Sequence, residues 1–175
     1  MEWTGARYAD KPTVEVETVV AAPPEQVWDV VCDIHLMSEL SDELQRVEWE
    51  DGAGGPSVGA RFTGYNKHEA FGEWQTTSIV VECERPRVFA WAVGDVDHPG
   101  AIWRFTLEPS GEGTTLRQWA QMGPARSGLS VAIDQMPDKE QKIVFVRLRE
   151  YESAMAANLV EIKARVEGRP GGGRA

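Results

Sequence analysis

Several ionisable side chains lie close together around one predicted hairpin, where they could transfer protons. His68, Glu69 and Glu73 follow Tyr65 within this short segment. A histidine or a carboxylate acts as a general acid or base when burial or a neighbouring charge moves its pKa toward neutrality. Hairpins of this composition are more often exposed to solvent, so two interpretations stay open. His68, Glu69 and Glu73 are either candidate catalytic residues or polar residues of a solvated turn.

The other polar motifs are not typical of a metal or phosphate site. His35, His68 and His98 are scattered and lack the spacing of zinc ligands. Residues 95–98 (DVDH) lack the further oxygen ligands of a calcium loop, which favours a polar turn. The glycines of residues 51–59 do not precede a predicted helix, so they do not form a phosphate loop. We therefore expect no metal ion and no cofactor.

The two cysteines offer no nucleophile that the sequence would activate. Cys32 falls in a predicted helix and Cys83 in a predicted strand, each among apolar neighbours. Such cysteines usually pack as small apolar side chains, which favours two buried thiols over a disulfide or a metal-binding pair. Neither cysteine has a candidate base near it in the sequence.

Large aromatic side chains are concentrated on the predicted strands. Four of the seven tryptophans lie on consecutive strands. An apolar cleft lined by aromatic rings is the usual form of a small-molecule site, but tryptophan is also the largest filler of a solid core. The predicted ligand-binding residues are Trp74, Trp91, Trp103, Phe105, Trp119, Tyr151, Met155 and Leu159, with Phe62 and Phe89 as second choices and Leu129 and Met136 as a lid.

Hydrophobic periodicity predicts the elements that position these residues. Strict alternation predicts a strand at residues 13–20, and the prolines after it suit the first turn of a helix. Two short helices are expected, the second over residues 34–40. The strands that follow are expected at residues 45–51, 59–66, 73–84, 87–93, 101–108 and 114–122, and residues 123–138 form a long connection with a candidate helix at 128–135.

A C-terminal helix is the clearest element of the sequence. One apolar stripe at helical spacing runs along it, formed by Val144, Leu148, Tyr151, Met155, Leu159, Ile162 and Val166. Gly168 and Pro170 are typical of a helix end. This order predicts an α+β domain in which a curved antiparallel sheet of six or seven strands wraps around the long helix. Because a curved sheet cannot touch a straight helix everywhere, large side chains or a cavity must occupy the gap.

The bulk properties limit the domain count and the partners. A chain of 175 residues favours one domain, expected at residues 12–167 between a lead-in (1–11) and a flexible tail (168–175). The net charge of -10 at pH 7 disfavours nucleic acids and anionic lipid surfaces. Neither a membrane-spanning run nor a secretory signal is visible. We therefore expect a cytoplasmic monomer or homodimer without membrane insertion.

Three segments resemble a known superfamily. They are residues 22–31 (APPEQVWDVV) with Asp33, residues 103–109 (WRFTLEP) with residues 113–116 (GTTL), and residues 158–163 (NLVEIK) with Glu167. They are similar to the START/Bet v 1-like (SRPBCC) superfamily, and more closely to its polyketide cyclase/dehydrase-like branch, over about residues 13–167. The resemblance implies a helix-grip fold with a cavity for a hydrophobic ligand between the sheet and the terminal helix.

The resemblance does not transfer a catalytic residue. In cyclase-like members an arginine or a tyrosine in the pocket orients a polyketone, which draws attention to Arg61, Tyr65 and Arg104. Strand alternation directs Arg104 away from Trp103, and no catalytic motif of the family is matched. The fold alone does not decide the activity.

Three functions therefore stay open. The first is binding of a hydrophobic small molecule, with aromatic and polyketide-like compounds as candidates. The second is a cyclase, aromatase or dehydratase that uses the same cavity, and the third is a co-chaperone-like protein-interaction module. An empty pocket above roughly 300 Å³ favours the first two. A solid core with an exposed apolar patch favours the third.

Overall fold

A computed structural model describes residues 2–50, 52, 54–70 and 72–168. Four helices and seven strands follow one another in the predicted order. Their bounds are β1 Thr13–Val20, α1 Pro24–Val31, α2 Ile34–Leu40, β2 Leu44–Trp49, β3 Arg61–His68, β4 Gly72–Glu84, β5 Val88–Gly94, β6 Pro99–Ser110, β7 Gly113–Met122, α3 Gly128–Gln135 and α4 Glu140–Val166. The predicted α+β helix-grip architecture is confirmed.

The seven strands form one antiparallel sheet in the order β1-β7-β6-β5-β4-β3-β2. Strands β2 to β7 pair with their neighbours in sequence, as short connections require. The first strand pairs with the last, from Thr13 opposite Gln121 to Val20 opposite Thr114. This pairing brings Val16 next to Gln118, on the side of the sheet that faces α4.

The long helix α4 packs along β1 and also contacts α1, α2, α3 and β7. Its buried apolar residues are Val144, Leu148, Met155, Leu159 and Ile162, which confirms the predicted stripe. Two clusters of buried apolar side chains lie beneath it, and Trp103 packs against both. None of the helices in the described ranges combines the length and the apolar character that crossing a bilayer requires.

The segment before β1 packs against the connection that leads to α3. Tyr8 is buried, and its hydroxyl donates a hydrogen bond of 2.7 Å to the backbone oxygen of Ala125. The same hydroxyl lies 3.0 Å from Ser127 Oγ. At the other end, α4 gives way to a turn at Gly168, and the predicted tail from Arg169 onward, with Pro170, lies outside the described residues.

Both cysteines are free thiols, and each is half-buried against the core. Burial, together with the nearby Asp29 carboxylate, raises the pKa of Cys32 to about 11. Burial also raises the pKa of Cys83. Because the thiolate is the reactive form, neither cysteine is an effective nucleophile at neutral pH.

Candidate functional site

A cavity lies between the inner face of the sheet, α2 and α4. The alternation of β5 and β6 places Trp91 directly opposite Trp103 on this face. The ring of Trp91 lies 6.2 Å from Phe105 and 6.0 Å from Phe62, and the ring of Trp103 lies 4.8 Å from Tyr151. The sheet and α4 therefore enclose the space with aromatic walls.

The volume of this cavity is about 170 Å³. It is smaller than the roughly 300 Å³ at which sites for drug-sized ligands begin. The aromatic side chains thus occupy much of the gap between sheet and helix, though not all of it. Engineered apolar cavities of about 150 Å³ bind benzene, so the remaining space is comparable in volume to a site for one six-membered ring.

Two buried polar side chains interrupt the apolar wall on the side of the sheet. Gln118 of β7 is 4% exposed, and Ser78 of β4 is 2% exposed. Among the described residues, the Gln118 carbonyl oxygen Oε1 has no hydrogen-bond partner. An unpaired buried carbonyl costs about 1–3 kcal/mol of stability, so it is an unusual feature of the wall.

A charged pair lies where the cavity approaches the surface. Arg147 Nη2 lies 2.7 Å and 2.8 Å from the two carboxylate oxygens of Glu43. Arg147 Nη1 lies 2.8 Å from a carboxylate oxygen of Glu150. The Arg147 guanidinium also lies 4.7 Å from the centre of the Tyr151 ring. The turn that carries Glu43 is held by Ser41 Oγ, which accepts from the backbone N–H of Leu44 at 2.9 Å.

Outside this pair lies an open groove of about 1120 Å³, which we call the outer groove. It shares six wall residues with the cavity. These are Leu40, Ser41, Glu43, Tyr151, Ala154 and Asn158. The Glu43–Arg147 pair and Tyr151 therefore form the boundary between the outer groove and the enclosed cavity.

The electrostatics of the boundary keep its two central groups protonated. Burial raises the pKa of the Tyr151 hydroxyl, while the Arg147 cation opposes this rise. Burial lowers the pKa of Arg147, but Tyr151, Glu43 and Glu150 outweigh it and raise the pKa overall. Near neutral pH the cavity wall therefore carries a neutral phenol next to a permanent cation.

The structure brings five of the eight predicted ligand-binding residues to the cavity. They are Trp91, Trp103, Phe105, Tyr151 and Met155. Leu159 is buried in the core but does not line the space. Trp119 points to the opposite face of the sheet, where its ring lies 5.5 Å from the Arg104 guanidinium. Trp74 lies near the start of β4 and lines a separate surface depression with Gln45 and Tyr65.

Of the two further aromatic candidates and the two residues expected to form a lid, only one lines the cavity. Phe62 lines the cavity, whereas Phe89 is fully buried in the core. Leu129 is buried in the cluster beneath α3 and α4, and Met136 is exposed. Neither Leu129 nor Met136 lines the cavity.

The candidate catalytic residues all lie outside the cavity. His68 and Glu69 line the outer groove, with His68 Nε2 at 3.9 Å from a Glu150 carboxylate oxygen. Glu73 is exposed and forms an ion pair of 3.1 Å with Lys67. No group of three or more His, Cys, Asp or Glu side chains within the described ranges could hold a metal ion.

The arginine and tyrosine candidates also lie away from the cavity. Arg61 pairs with Glu50 at 3.2 Å, and Tyr65 donates to Glu48 at 3.1 Å. Arg104 forms an ion pair with Glu82. These side chains belong to the outer face of the sheet because their neighbours in the strands, such as Phe62 and Phe105, face inward.

The charged and polar residues of the site that the sequence analysis missed include Gln118, Arg147 and Glu43. Gln118 alternates in phase with the apolar Leu116 and Ala120, so a polar residue at an inward position was a visible signal. Arg147 lies on the apolar side of α4, three residues after Val144, and was visible in the same way. Glu43 lies in a turn without periodicity, so the sequence held no signal for it.

A family model and a solved structure both match this chain to polyketide-cyclase-type proteins. The model of the family described as "Polyketide cyclase / dehydrase and lipid transport" matches residues 11–167. A polyketide-cyclase-like protein from Corynebacterium glutamicum is 31% identical, with 89% of this chain and 94% of that chain covered and a TM-score of 0.60. No curated protein matches the chain.

Two further solved structures share the fold at lower identity. The Zhui aromatase/cyclase from a Streptomyces species is 19% identical, with a TM-score of 0.65. The match covers 93% of this chain and 99% of the Zhui chain. The di-domain aromatase/cyclase StfQ of the steffimycin biosynthetic pathway is 17% identical with a TM-score of 0.69. The match covers 89% of this chain and 50% of StfQ, so this chain spans half of that protein.

Proposed function

The chain belongs to the polyketide cyclase/dehydrase and lipid transport family, and from this premise we propose that it binds an apolar aromatic small molecule in the cavity between the sheet and α4. The observation that carries the proposal is the enclosed space of about 170 Å³ with Trp91, Trp103, Phe105 and Tyr151 in its walls. Aromatic faces favour offset or edge-on contact with another ring, so an aromatic ligand suits these walls.

The cavity is below the roughly 300 Å³ that would favour ligand binding by size alone, so it is the cost of leaving the cavity empty that disfavours the co-chaperone-like alternative. A protein-interaction module needs no internal cavity, and leaving one empty costs stability because its lining loses van der Waals contacts. A bound ring would restore those contacts. The size of the cavity supports a ligand of one ring, or one ring of a larger molecule whose remainder extends through the boundary into the outer groove.

A second candidate function is catalysis of a cyclase type, and Tyr151 is the residue that favours it. Its phenol lines the cavity, has a raised pKa and lies beside the Arg147 cation. A neutral phenol can donate a proton or a hydrogen bond to a ligand carbonyl. The aromatase/cyclase neighbours support this candidate through a shared fold alone.

Toluene is the probe for ligand binding, because it fills a benzene-sized cavity without a polar group. We expect it to shift the indole N–H signals of Trp91 and Trp103 in ¹H–¹⁵N NMR spectra, and to leave Trp119 unchanged on the outer face. A dissociation constant of about 0.1–1 mM is expected for a ligand of this size. Signals that do not move at saturating toluene would overturn the proposal.

Filling the cavity supplies the matched control. Ser78→Leu adds apolar volume at a buried position in the cavity wall, and we expect it to weaken toluene binding at least about tenfold, since the ring loses its space. Thr106→Leu makes a comparable change on the outer face of β6 and is expected to leave binding unchanged. Equal effects of the two variants would place the bound toluene elsewhere.

Turnover distinguishes the second candidate from simple binding. With a short poly-β-keto thioester as the probe, cyclisation followed by mass spectrometry is expected to fall at least about 100-fold in Tyr151→Phe, the scale of a lost general acid. The phenylalanine keeps the ring that packs on Trp103, so toluene binding should survive. A wild-type protein that does not convert the thioester would contradict the cyclase candidate for poly-β-keto thioesters and leave ligand binding as the proposed function.

A further inference from the structure

We propose that the ligand carries a hydrogen-bond donor, such as a phenolic hydroxyl, at the end that lies against Gln118. The inference rests on the proposed function, because it names the class of molecule that the same cavity takes. Gln118 lines the cavity, is 4% exposed, and has no partner for its Oε1 among the described residues. A carbonyl oxygen accepts hydrogen bonds, so the group that satisfies it is a donor.

The side chains around Gln118 on the sheet cannot donate a hydrogen bond to its Oε1. On the adjacent strands, the residues directly opposite Gln118 are Val16 of β1 and Phe105 of β6, and neither side chain can donate. Along β7 itself, the inward neighbours Leu116 and Ala120 are apolar and fully buried. An apolar side chain at position 118 would suit these surroundings better than an amide, so packing does not account for the glutamine.

Asn66, another polar residue of the inner sheet that lines the cavity, is already engaged. The Asn66 side-chain nitrogen donates to the backbone oxygen of Gly64 at 3.2 Å and lies 3.3 Å from Thr76 Oγ1. Gln118 therefore presents an acceptor that has no partner within the described part of the chain, beside the rings of Trp103 and Phe105. Together with the volume of about 170 Å³, this favours a single ring that bears one hydroxyl or N–H group.

The test compares phenol with toluene, which have nearly the same shape but differ in the donor. Dissociation constants for both are measured by NMR titration on the wild type and on Gln118→Met, which keeps the length of the side chain. We expect the methionine variant to bind phenol about 5- to 10-fold more weakly, the scale of one neutral hydrogen bond, and to bind toluene at least as tightly. Comparing the phenol-to-toluene ratio of dissociation constants between the wild type and the variant cancels the different hydration of the two ligands.

Gln121→Met is the matched control, because Gln121 lies on the same strand with its side chain on the opposite face. Gln121→Met should leave the dissociation constants of both phenol and toluene unchanged. Fluorobenzene gives a second measurement that needs no variant, since it resembles phenol without a donor. In the wild type it should bind as toluene does, without the gain that the donor gives to phenol.

The outcomes separate this inference from the proposed function. If toluene binds and the phenol-to-toluene ratio is the same in wild type and Gln118→Met, the donor requirement is wrong while cavity binding stands. If Gln118→Met does not fold, Gln118→Leu and the fluorobenzene comparison decide the question in the same way. If toluene does not bind the wild type, the proposed function fails, and this inference fails with it.

Discussion

Gly113→Ala is expected to lower the free energy of unfolding by about 4 kcal/mol or more, the range of severe steric and backbone substitutions. Gly113 opens β7 with a φ of +133°, a conformation that L side chains rarely adopt. A Cβ atom there would lie 2.2 Å from the backbone oxygen of Val20 and 2.8 Å from the backbone nitrogen of Ala22. Since both are backbone atoms, no side-chain rotation can relieve the clash.

Equilibrium denaturation in urea measures this effect, and the same hairpin supplies its control. Gly111 has no heavy atom within 4 Å of a Cβ built on it. Gly111→Ala should therefore change the free energy of unfolding by less than about 0.5 kcal/mol. Similar stabilities for the two variants would show that the β6–β7 turn is not held against the end of β1.

The contact at Gly113 joins the last hairpin to the first strand and helix. Next to it, the buried Thr114 donates from Oγ1 to the backbone oxygen of Ala22 at 2.7 Å. The link fixes where α1 begins relative to the sheet, and Val31 at the end of α1 lines the cavity. The GTTL segment at residues 113–116 thus holds this part of the cavity wall in place.

Arg147→Met is the second large effect, with an expected loss of about 2 to 3 kcal/mol in the free energy of unfolding. Its side chain is 10% exposed and that of Glu43 is 31% exposed. Removing one partner of a buried pair leaves the other carboxylate without compensation, which costs 3–5 kcal/mol when both are fully buried. The partial exposure of Glu43 lets water offset part of that cost.

A second ion pair on α4 provides a matched control for this variant. Arg165 lies 2.7 Å from Glu39, but the two side chains are 39% and 58% exposed. Arg165→Met should cost less than about 1 kcal/mol, as exposed pairs do. Equal losses in the two variants would mean that burial does not strengthen the Glu43–Arg147 pair.

The same variant tests the boundary between the outer groove and the cavity. Arg147 connects α4 to the turn after α2, so its loss frees Glu43 to move. We expect toluene to leave the Arg147→Met cavity faster than the wild type, as seen in NMR exchange broadening. Unchanged exchange, together with unchanged binding, would place the route to the cavity elsewhere.

Most of the fold was predictable because local periodicity follows directly from burial. The alternation in β1 and β6 and the four- and three-residue steps along α4 each reflect one side that faces the core. The short connections between later strands then require antiparallel neighbours. The pairing of β1 with β7 has no such local cause, and only the tertiary structure shows it.

The cavity residues were predictable only where a large side chain also lies at an inward-facing position of the strand alternation. Trp91 and Trp103 reach the cavity, but Trp119 has the phase of Arg117 and Gln121 and faces outward. Trp74 has the phase of Thr76 and Ser78, yet it lies too near the start of β4 to reach the cavity. An indole ring by itself therefore does not mark a cavity wall.

The sequence alone determined the order of the elements, the side of each element that is buried and the aromatic character of the interior, because each depends on residues close together in the chain. The volume of the cavity, the unpaired Gln118 oxygen and the Glu43–Arg147 contact depend on distances between residues far apart in sequence. Such distances follow from how closely the sheet approaches α4, and only the tertiary structure decided that.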